Sequence, residues 1–206
     1  MQPQIIECEQ GTEAWFAARA GIPTASRFST VLASGRGGGE SKTRRKYMLQ
    51  LAGERITGKP METYSNGHME RGKEQEQEAR DLYAMLKDTD PQQVGFIRRG
   101  NAGASPDALI GADGLLEIKT KLPDLQIEVL LADDVPAEHI AQIQGQLWVT
   151  CREWCDFVSY SPGLPPFIRR CYRQEPYIAR LSAAVGEFNE ELAGVIEQIR
   201  NYRSVA

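Results

Sequence analysis

Apolar residues recur every three or four positions in several stretches of the chain, and this spacing predicts helices. The longest stretches cover residues 66–87, 136–150 and 176–202. The C-terminal stretch has a continuous apolar side, which suits core or subunit packing. The inward stripe of the first stretch consists of Met69, Gly72, Glu76, Ala79, Tyr83 and Leu86.

Two shorter helices are predicted near the N-terminus. Thr12 is a helix-capping residue in front of Trp15, and Gly21 is suited to end that helix. Thr24 and Ser26 stand where a second helix would begin, in front of its apolar residues.

Short apolar runs between turn residues predict strands. Asp113-Gly114 is a hairpin signal within residues 105–119, and residues 94–97 form a candidate strand that enters this hairpin. Residues 156–160 and Phe167–Tyr172 predict two further strands. Residues 122–134 look irregular, with a short strand at 127–131. The mixture of elements predicts an α/β protein.

The hairpin brings together residues that suit metal-assisted phosphodiester hydrolysis. Asp107 begins the first strand, and Glu117 and Lys119 lie on one face of the second strand because they are two residues apart. Mg²⁺ prefers oxygen ligands, and one or two carboxylates with a substrate phosphate suffice to bind it. A bound cation polarises the phosphoryl group, and a nearby lysine stabilises developing negative charge. The alternative is a surface hairpin in which Glu117 and Lys119 form a solvated pair.

Two further polar residues are candidates for the same site. Glu76 lies on an otherwise apolar helix stripe, where a carboxylate needs a partner that a metal would supply. Otherwise Glu76 lies at the edge of the stripe and reaches water. Gln142 and Gln146 are stacked one turn apart on the helix that follows Pro136, and Gln142 either holds a water or phosphate oxygen or is simply exposed.

Basic residues and hydroxyls near the N-terminus indicate a phosphate-binding region. A helix start with hydroxyls and unpaired amides binds anions, so Arg19, Thr24 and Ser26 suit a phosphate pocket; an ordinary cap with a surface arginine is the alternative. After the glycine-rich loop at residues 35–39, a dense basic cluster begins the next helix. Such a cluster either contacts a DNA backbone or forms a solvated helix face. Its candidate DNA-binding residues are Lys42, Arg44 and Arg45.

Composition limits the function less than these motifs do. With 206 residues and a net charge of −4, the chain predicts one acidic globular domain, and a nuclease can still be acidic overall. There is no signal-peptide pattern or apolar run near 18 residues. We therefore expect a cytoplasmic protein with reduced cysteines and no membrane partner. The Cys151-x-x-x-Cys155 spacing argues against an iron–sulfur cluster, and His68 and His139 give little support to a zinc site.

Five motifs in this order resemble the phage lambda exonuclease family, also described as YqaJ-type viral recombinase nucleases. The resemblance covers about residues 10–160. The motifs are W-x-x-x-R-x-G-x-x-TAS from Trp15, GK-x-x-E-x-x-AR from Gly72, SPD from Ser105, EIK from Glu117 and AQ-x-Q-x-x-x-WVT from Ala141. Arg71 before Gly-Lys and the residues 120–123 after EIK depart from the family pattern.

The resemblance implies a restriction-endonuclease-like PD-(D/E)xK fold, in which a mixed central β-sheet is flanked by α-helices. It also implies a Mg²⁺-dependent 5′-to-3′ exonuclease that releases mononucleotides from linear double-stranded DNA and leaves 3′ single strands; Mn²⁺ is a candidate substitute. We expect a single nuclease domain over residues 1–206 with the C-terminal helix at 176–202. A ring-shaped homotrimer, a single-strand annealing protein as partner and the bacterial host cytoplasm are implied as well.

The site residues also follow from the resemblance. Asp107, Glu117 and the backbone carbonyl of Ile118 match the metal ligands, and Lys119 matches the catalytic lysine. Further matches are Glu76 for the helix glutamate, Gln142 for the motif glutamine, and Arg19, Thr24 and Ser26 for the 5′-phosphate pocket. An endonuclease on the same fold and a catalytically silent DNA-binding module are the alternatives.

Overall fold

The computed structural model describes residues 1–35, 37, 39, 41–61 and 67–202, and within α4 it describes side chains from residue 74 onward. The loop prediction at 35–39, the stripe positions Met69 and Gly72, and the departure at Arg71 therefore lie wholly or partly outside the described part. The elements in chain order are β1 (Gln4–Ile6), α1 (Glu13–Arg19), a 3₁₀ turn (Ala25–Arg27), α2 (Phe28–Val31), α3 (Lys42–Thr57), α4 (Gly67–Lys87), β2 (Phe96–Arg99), β3 (Ala102–Ala104), β4 (Ala108–Ile110), β5 (Gly114–Thr120), α5 (Pro123–Ala132), α6 (Ala137–Thr150), β6 (Trp154–Tyr160), β7 (Phe167–Tyr172) and α7 (Glu175–Arg200).

The described strands form two sheets, of which the four-stranded one is the mixed sheet that was expected. The order β1-β2-β3 is antiparallel throughout. The order β4-β5-β6-β7 is mixed, because β5 and β6 are parallel and the two outer pairs are antiparallel. The predicted hairpin is confirmed as β4 and β5. The strand predicted at 94–97 was wrongly assigned to the hairpin sheet, since β2 pairs with β1 and β3.

Most predicted helices are confirmed, and one segment was predicted wrongly. Residues 122–134 contain α5 instead of irregular chain with a strand. Only Gln126 and Val129 of α5 are fully buried, and several apolar residues face outward, so its sequence lacks a clear helical period. The buried Gln126 amide donates to the carbonyls of Ser159 (3.0 Å) and Pro165 (2.9 Å), which fixes α5 to the end of β6.

Helix α6 packs against both sheets, with contacts to β2 and β3 on one side and to β6 on the other. Helix α7 buries Leu181, Val185 and Phe188 against α3 and α6, so its predicted apolar side serves the core. Helix α4 packs on β5 and β6 and buries Ala79 and Tyr83 there. Among the described residues, no helix combines the length and apolar character that a membrane span requires.

Candidate active site

The β4–β5 hairpin places Asp107 beside the middle of β5. Ala108 pairs with Leu116, and the amide of Asp107 donates to the carbonyl of Leu116 at 3.1 Å. The backbone N–H of Ile118 donates to Asp107 Oδ2 at 2.5 Å, so this carboxylate is held against β5. Arg152 fixes the turn by donating to the carbonyls of Gly111 (2.9 Å) and Gly114 (2.8 Å).

Glu117 and Lys119 point to the same side of β5, as their spacing predicted. Glu117 is 1% exposed, which reflects the position of β5 between β4 and β6. The Lys119 ammonium lies 2.6 Å from Glu117 Oε1, and its side chain is 29% exposed. The surface-pair alternative is therefore wrong for Glu117, because a buried carboxylate with an ordered ammonium beside it is not a solvated pair.

Helix α6 supplies two glutamines to the same carboxylate. Gln142 Nε2 donates to Glu117 Oε1, and Gln146 Nε2 donates to Glu117 Oε2, both at 2.5 Å. Sequence reasoning proposed Gln142 for the site and missed Gln146. Their i, i+4 spacing was the available signal, because two amides one turn apart on a helix can reach both oxygens of one carboxylate. The pair fixes the orientation of Glu117.

Glu76 reaches the site from α4. Its side chain is 34% exposed, and its Oε1 lies 2.5 Å from Arg80 Nη2 one turn later in the helix. The Arg80 side chain is only 6% exposed and also donates to Gln77 at 2.6 Å. Arg80 belongs to a motif that the sequence displays, but its contact with Glu76 was not predicted.

The pKa values of Asp107, Glu76 and Lys119 are shifted in this site. Burial, Glu117 and Glu76 raise the pKa of Asp107 well above its ordinary value. Burial also raises the pKa of Glu76, against the lowering effect of Arg80. Burial alone would lower the pKa of Lys119, but Glu117 and Asp107 outweigh it and the pKa is raised. Lys119 is accordingly a cation at neutral pH.

This donor set fits a hard divalent cation. In the described residues no three His, Cys, Asp or Glu side chains are grouped closely enough to hold a metal ion by themselves. Mg²⁺ does not need such a group, because it keeps several waters and takes one or two carboxylates together with substrate oxygens. The mutual repulsion at Asp107 is the observation that favours a cation, since a nearby positive charge would relieve it. Asp107, Glu117, the Ile118 carbonyl and Glu76 are the groups that could hold it.

A wide cleft of about 1000 Å³ is lined by two of these carboxylates, Asp107 and Glu76, and by residues of the N-terminal region. Arg80, Trp15 and Arg19 also form part of its wall. Ligand clefts of ~300–1,000 Å³ enclose drug-sized molecules, so a nucleotide fits a cleft of this volume.

Arg19, Thr24 and Ser26 are brought together, but not at the start of a regular helix. Arg19 Nη2 donates to Thr24 Oγ1 at 3.4 Å, and the Thr24 and Ser26 hydroxyl oxygens are 3.3 Å apart. The predicted second helix is a 3₁₀ turn followed by the four residues of α2, and Thr24 makes no side-chain capping bond. The anion-binding character that was expected from a helix start therefore rests on the side chains.

Trp15 connects this group to the SPD motif. The Arg19 guanidinium stacks on the Trp15 ring at 3.9 Å. The indole N–H of Trp15 donates to Ser105 Oγ at 2.9 Å and to the carbonyl of Gly95 at 3.2 Å. Two of the sequence motifs thus contact each other through these side chains.

The basic cluster is divided between two roles. Arg44 forms a paired interaction with Glu191 on α7, with both N–O distances at 2.7 Å, and also stacks against Phe188. The Arg44 guanidinium thus connects α3 to α7, and a contact of Arg44 with DNA stays a prediction. Lys42 and Arg45 are exposed on α3, and their contact with DNA stays a prediction.

Comparison with known proteins adds to this geometry. Residues 14–153 match the family model described as the YqaJ-like viral recombinase domain. The chain is similar to the crystal structure of an alkaline exonuclease (LHK-Exo) from Laribacter hongkongensis, with 37% identity and a TM-score of 0.82. It is also similar to LHK-Exo in complex with dAMP, with 38% identity and a TM-score of 0.83. Both alignments cover 92% of this chain and 96% of that chain.

A third structure shares the fold at low sequence identity. It is a phage-related exonuclease from Haemophilus somnus 129PT, with 14% identity, a TM-score of 0.63, and coverage of 86% of this chain and 96% of that chain. Among curated proteins, no sequence matches the chain. The restriction-endonuclease-like α/β fold that the motifs implied is confirmed by these similarities.

Proposed function

Since this chain belongs to the family of YqaJ-like viral recombinase proteins, we propose that it is a Mg²⁺-dependent exonuclease that degrades linear double-stranded DNA from the 5′ end. The convergence of Asp107, Glu117, Lys119 and Glu76 beside a cleft that leads to Arg19 carries this proposal. The similarity to an alkaline exonuclease over nearly the whole of both chains supports it.

The carboxylates and Lys119 have separate tasks in the reaction. Asp107, Glu117, the Ile118 carbonyl and Glu76 hold one or two Mg²⁺ ions, and Mn²⁺ is a candidate substitute. Bound Mg²⁺ supplies charge stabilisation and activation of water for phosphodiester hydrolysis. The Lys119 ammonium lies beside the Glu117 carboxylate. From there it orients the attacking water and stabilises the negative charge that develops on the scissile phosphate. Gln142 and Gln146 keep the Glu117 carboxylate in place.

The pocket at the other end of the cleft determines polarity. Arg19, with the Thr24 and Ser26 hydroxyls, binds a terminal 5′-phosphate, so cleavage proceeds 5′ to 3′, releases mononucleotides and leaves a 3′ single strand. The dAMP complex of LHK-Exo supports a site for a nucleoside monophosphate. A homotrimeric ring, a single-strand annealing partner and action in the bacterial host cytoplasm complete the proposal.

Digestion of end-labelled linear duplex DNA tests this function directly. With Mg²⁺, we expect early release of a 5′ label as mononucleotide and late release of a 3′ label. Lys119→Ala should reduce the rate by at least about 100-fold, because an electrostatic donor at the reacting phosphate is lost. Its binding to the same duplex should persist. Lys87→Ala, on the exposed end of α4, is the matched control and should behave as the wild type.

The same assay separates the alternatives. A covalently closed circle offers no end, so its cleavage would favour the endonuclease. Binding without cleavage of any substrate would favour the silent DNA-binding module. Early release of the 3′ label would contradict the proposed polarity, even if Mg²⁺ and Lys119 were required.

A further inference from the structure

A second, smaller pocket lies behind Arg19 and opens next to the main cleft, since Arg19 and Phe16 line both. Its volume is about 20 Å³, which is room for about one water-sized group, such as a single phosphate oxygen, but not for a base. Besides Arg19, its wall includes Thr24, Arg27 and Tyr47. The pocket therefore joins the candidate 5′-phosphate residues to a second arginine.

Arg27 follows Ser26 directly in the chain and ends the 3₁₀ turn. Its guanidinium lies over the Tyr47 ring, 4.7 Å from the centroid. The Arg27 Nε–H is buried and has no hydrogen-bond partner among the described residues. A buried donor without an acceptor is unfavourable, so this group is placed to receive an acceptor from a bound molecule.

Tyr47 holds the two sides of the pocket in position. Its hydroxyl oxygen accepts a hydrogen bond from the amide of Thr24 at 3.2 Å. Arg27 and Arg19 both act electrostatically on this phenol, so both guanidinia lie near it. The contact with Thr24 therefore links the Arg19–Thr24 pair to the ring on which Arg27 is stacked.

The acidic residue in the pocket wall does not oppose an anion directly. Glu54 Oε2 accepts the amide of Gly21 at 2.6 Å, and Oε1 accepts from Gln50 and from the amide of Met61, each at 3.2 Å. Both carboxylate oxygens are thus engaged with donors of the surrounding loops and of α3. The other two charged residues that line the pocket are Arg19 and Arg27, both cations.

The two arginines favour a ligand that carries two negative charges. A terminal phosphate monoester has a second pKa near ~6 and carries about −1.5 to −2 at pH 7. An internal phosphodiester carries a single charge. We propose that Arg27 is the second cation of the 5′-phosphate pocket and that, together with Arg19, it selects a terminal monoester over an internal diester or a 5′-hydroxyl. This inference rests on the proposed exonuclease function and adds a specificity-determining residue to it.

The test compares kcat/KM for linear duplexes that differ only in a 5′-phosphate or a 5′-hydroxyl. We expect Arg27→Ala to lower kcat/KM on phosphorylated ends by about 10- to 100-fold, because a charge-assisted hydrogen bond is lost. The decrease in kcat/KM on hydroxyl ends should be much smaller, so the ratio of kcat/KM between phosphorylated and hydroxyl ends should fall toward one. Arg27→Lys should keep part of the preference for phosphate, and Arg19→Ala should lose it as well.

Arg180→Ala is the matched control, because Arg180 also stacks on a tyrosine, Tyr177, but is exposed on α7. It should leave the preference unchanged. Equal losses of Arg27→Ala on both ends, together with a lower thermal midpoint, would reduce Arg27 to a structural residue and overturn the inference. If Arg27→Ala does not fold, Arg27→Gln replaces it.

A binding measurement in EDTA keeps this inference separate from the proposed function. The wild type should bind a 5′-phosphorylated hairpin duplex more tightly than its 5′-hydroxyl counterpart, and Arg27→Gln should remove most of the difference. A wild type without exonuclease activity would overturn the proposed function, and the binding preference would still decide on Arg27. Equal affinity of the wild type for both ends would overturn the role of Arg27.

Discussion

Asp107 occupies a position that is unfavourable for a carboxylate in the absence of a bound cation. Its pKa is raised by burial and by the charges of Glu117 and Glu76, while the single backbone bond from Ile118 offsets only part of this. A group whose charged form is disfavoured in the folded state lowers the stability at neutral pH, where the unfolded chain keeps that group ionised. A bound Mg²⁺, as proposed above, would offset this loss of stability.

Asp107→Asn is therefore expected to stabilise the metal-free protein and abolish cleavage. Asparagine keeps an acceptor for the Ile118 amide and removes the negative charge. We expect the thermal midpoint in EDTA to rise by roughly 3–6 °C, equivalent to ~1–2 kcal/mol for a chain of this size. Mg²⁺ should raise the midpoint of the wild type and have little effect on the variant. Differential scanning calorimetry with and without Mg²⁺ measures both.

Asp113→Asn provides the control, because it changes the same residue type at the exposed turn of the same hairpin. It should respond to Mg²⁺ as the wild type does. A lower midpoint for Asp107→Asn in EDTA would contradict the argument that this carboxylate is strained by its neighbours.

At the residue scale, the sequence was informative where side chains lie on one strand or in one motif. Glu117 and Lys119 could be assigned to one face because the strand period is two. Gln146 and Arg27 were missed because their roles depend on what a distant segment brings to them. Gln146 needs β5 beside α6, and Arg27 needs Tyr47 from α3. The ion pair of Arg44 was missed for the same reason, since its partner Glu191 lies on α7.

At the scale of elements, helix α4 is positioned by a buried polar contact with β6. The Tyr83 hydroxyl donates to Asp156 Oδ2 at 2.8 Å. Arg170 on β7 donates to both oxygens of Asp156, at 2.8 and 2.9 Å, and stacks on Trp154 at 3.5 Å. Tyr83 lies two turns after Glu76 on α4, so this network sets where Glu76 reaches the cleft.

Removing Asp156 should destabilise the protein. Asp156→Ala leaves the buried Tyr83 hydroxyl without its acceptor, whereas the Arg170 side chain, which is 41% exposed, can turn to water, so we expect a cost of about 1–3 kcal/mol. Tyr83→Phe removes one hydrogen bond and should cost about 1 kcal/mol. Urea unfolding monitored by fluorescence gives both free energies. Glu175→Ala, which breaks the surface pair with Arg173, should change the stability little. Equal losses for Asp156→Ala and Glu175→Ala would contradict the role given to the network.

Helix α5 shows which kind of element could not be predicted. The amphipathic helices α4, α6 and α7 have one apolar side and were recognised from their spacing. In α5, Leu125, Ile127 and Leu131 are exposed while Gln126 is fully buried, so the pattern of polar and apolar residues is nearly reversed. The buried amide is satisfied by Ser159 and Pro165, which no local pattern reveals. A short run of apolar residues that lacks the helical 3.6-residue period is easily taken for a buried strand.

At the scale of the whole molecule, α6 joins the two sheets and carries the site's glutamines between them. Its N-terminal turn also places His139 against Phe157, with ring centroids 5.2 Å apart. Its C-terminal part packs against β2 and β3 through the core that includes Val149. The strands and helices could be predicted one by one, but their division into two sheets around α6 depends on contacts across the whole chain.

The burial of His139 makes the stability of the whole molecule sensitive to acid. Burial, and then the charges of Lys119 and Lys121, lower the pKa of His139 to about 4. The unfolded chain protonates this imidazole near pH ~6.5, so between these two values the unfolded state binds more protons than the folded state. The contribution of His139 is therefore complete above pH ~6.5 and is lost as the pH falls toward 4.

His139→Phe should flatten this part of the pH profile, because phenylalanine can stack on Phe157 and does not titrate. The difference in unfolding free energy between wild type and variant should change by up to about 3 kcal/mol between pH 7 and pH 4. Glu76 and Asp107, whose pKa values are raised, act in the opposite direction in both proteins and cancel in the difference. Urea unfolding at half-unit pH intervals gives the two profiles. Parallel profiles would show that His139 titrates alike in the folded and unfolded states, and would contradict its lowered pKa in the folded protein.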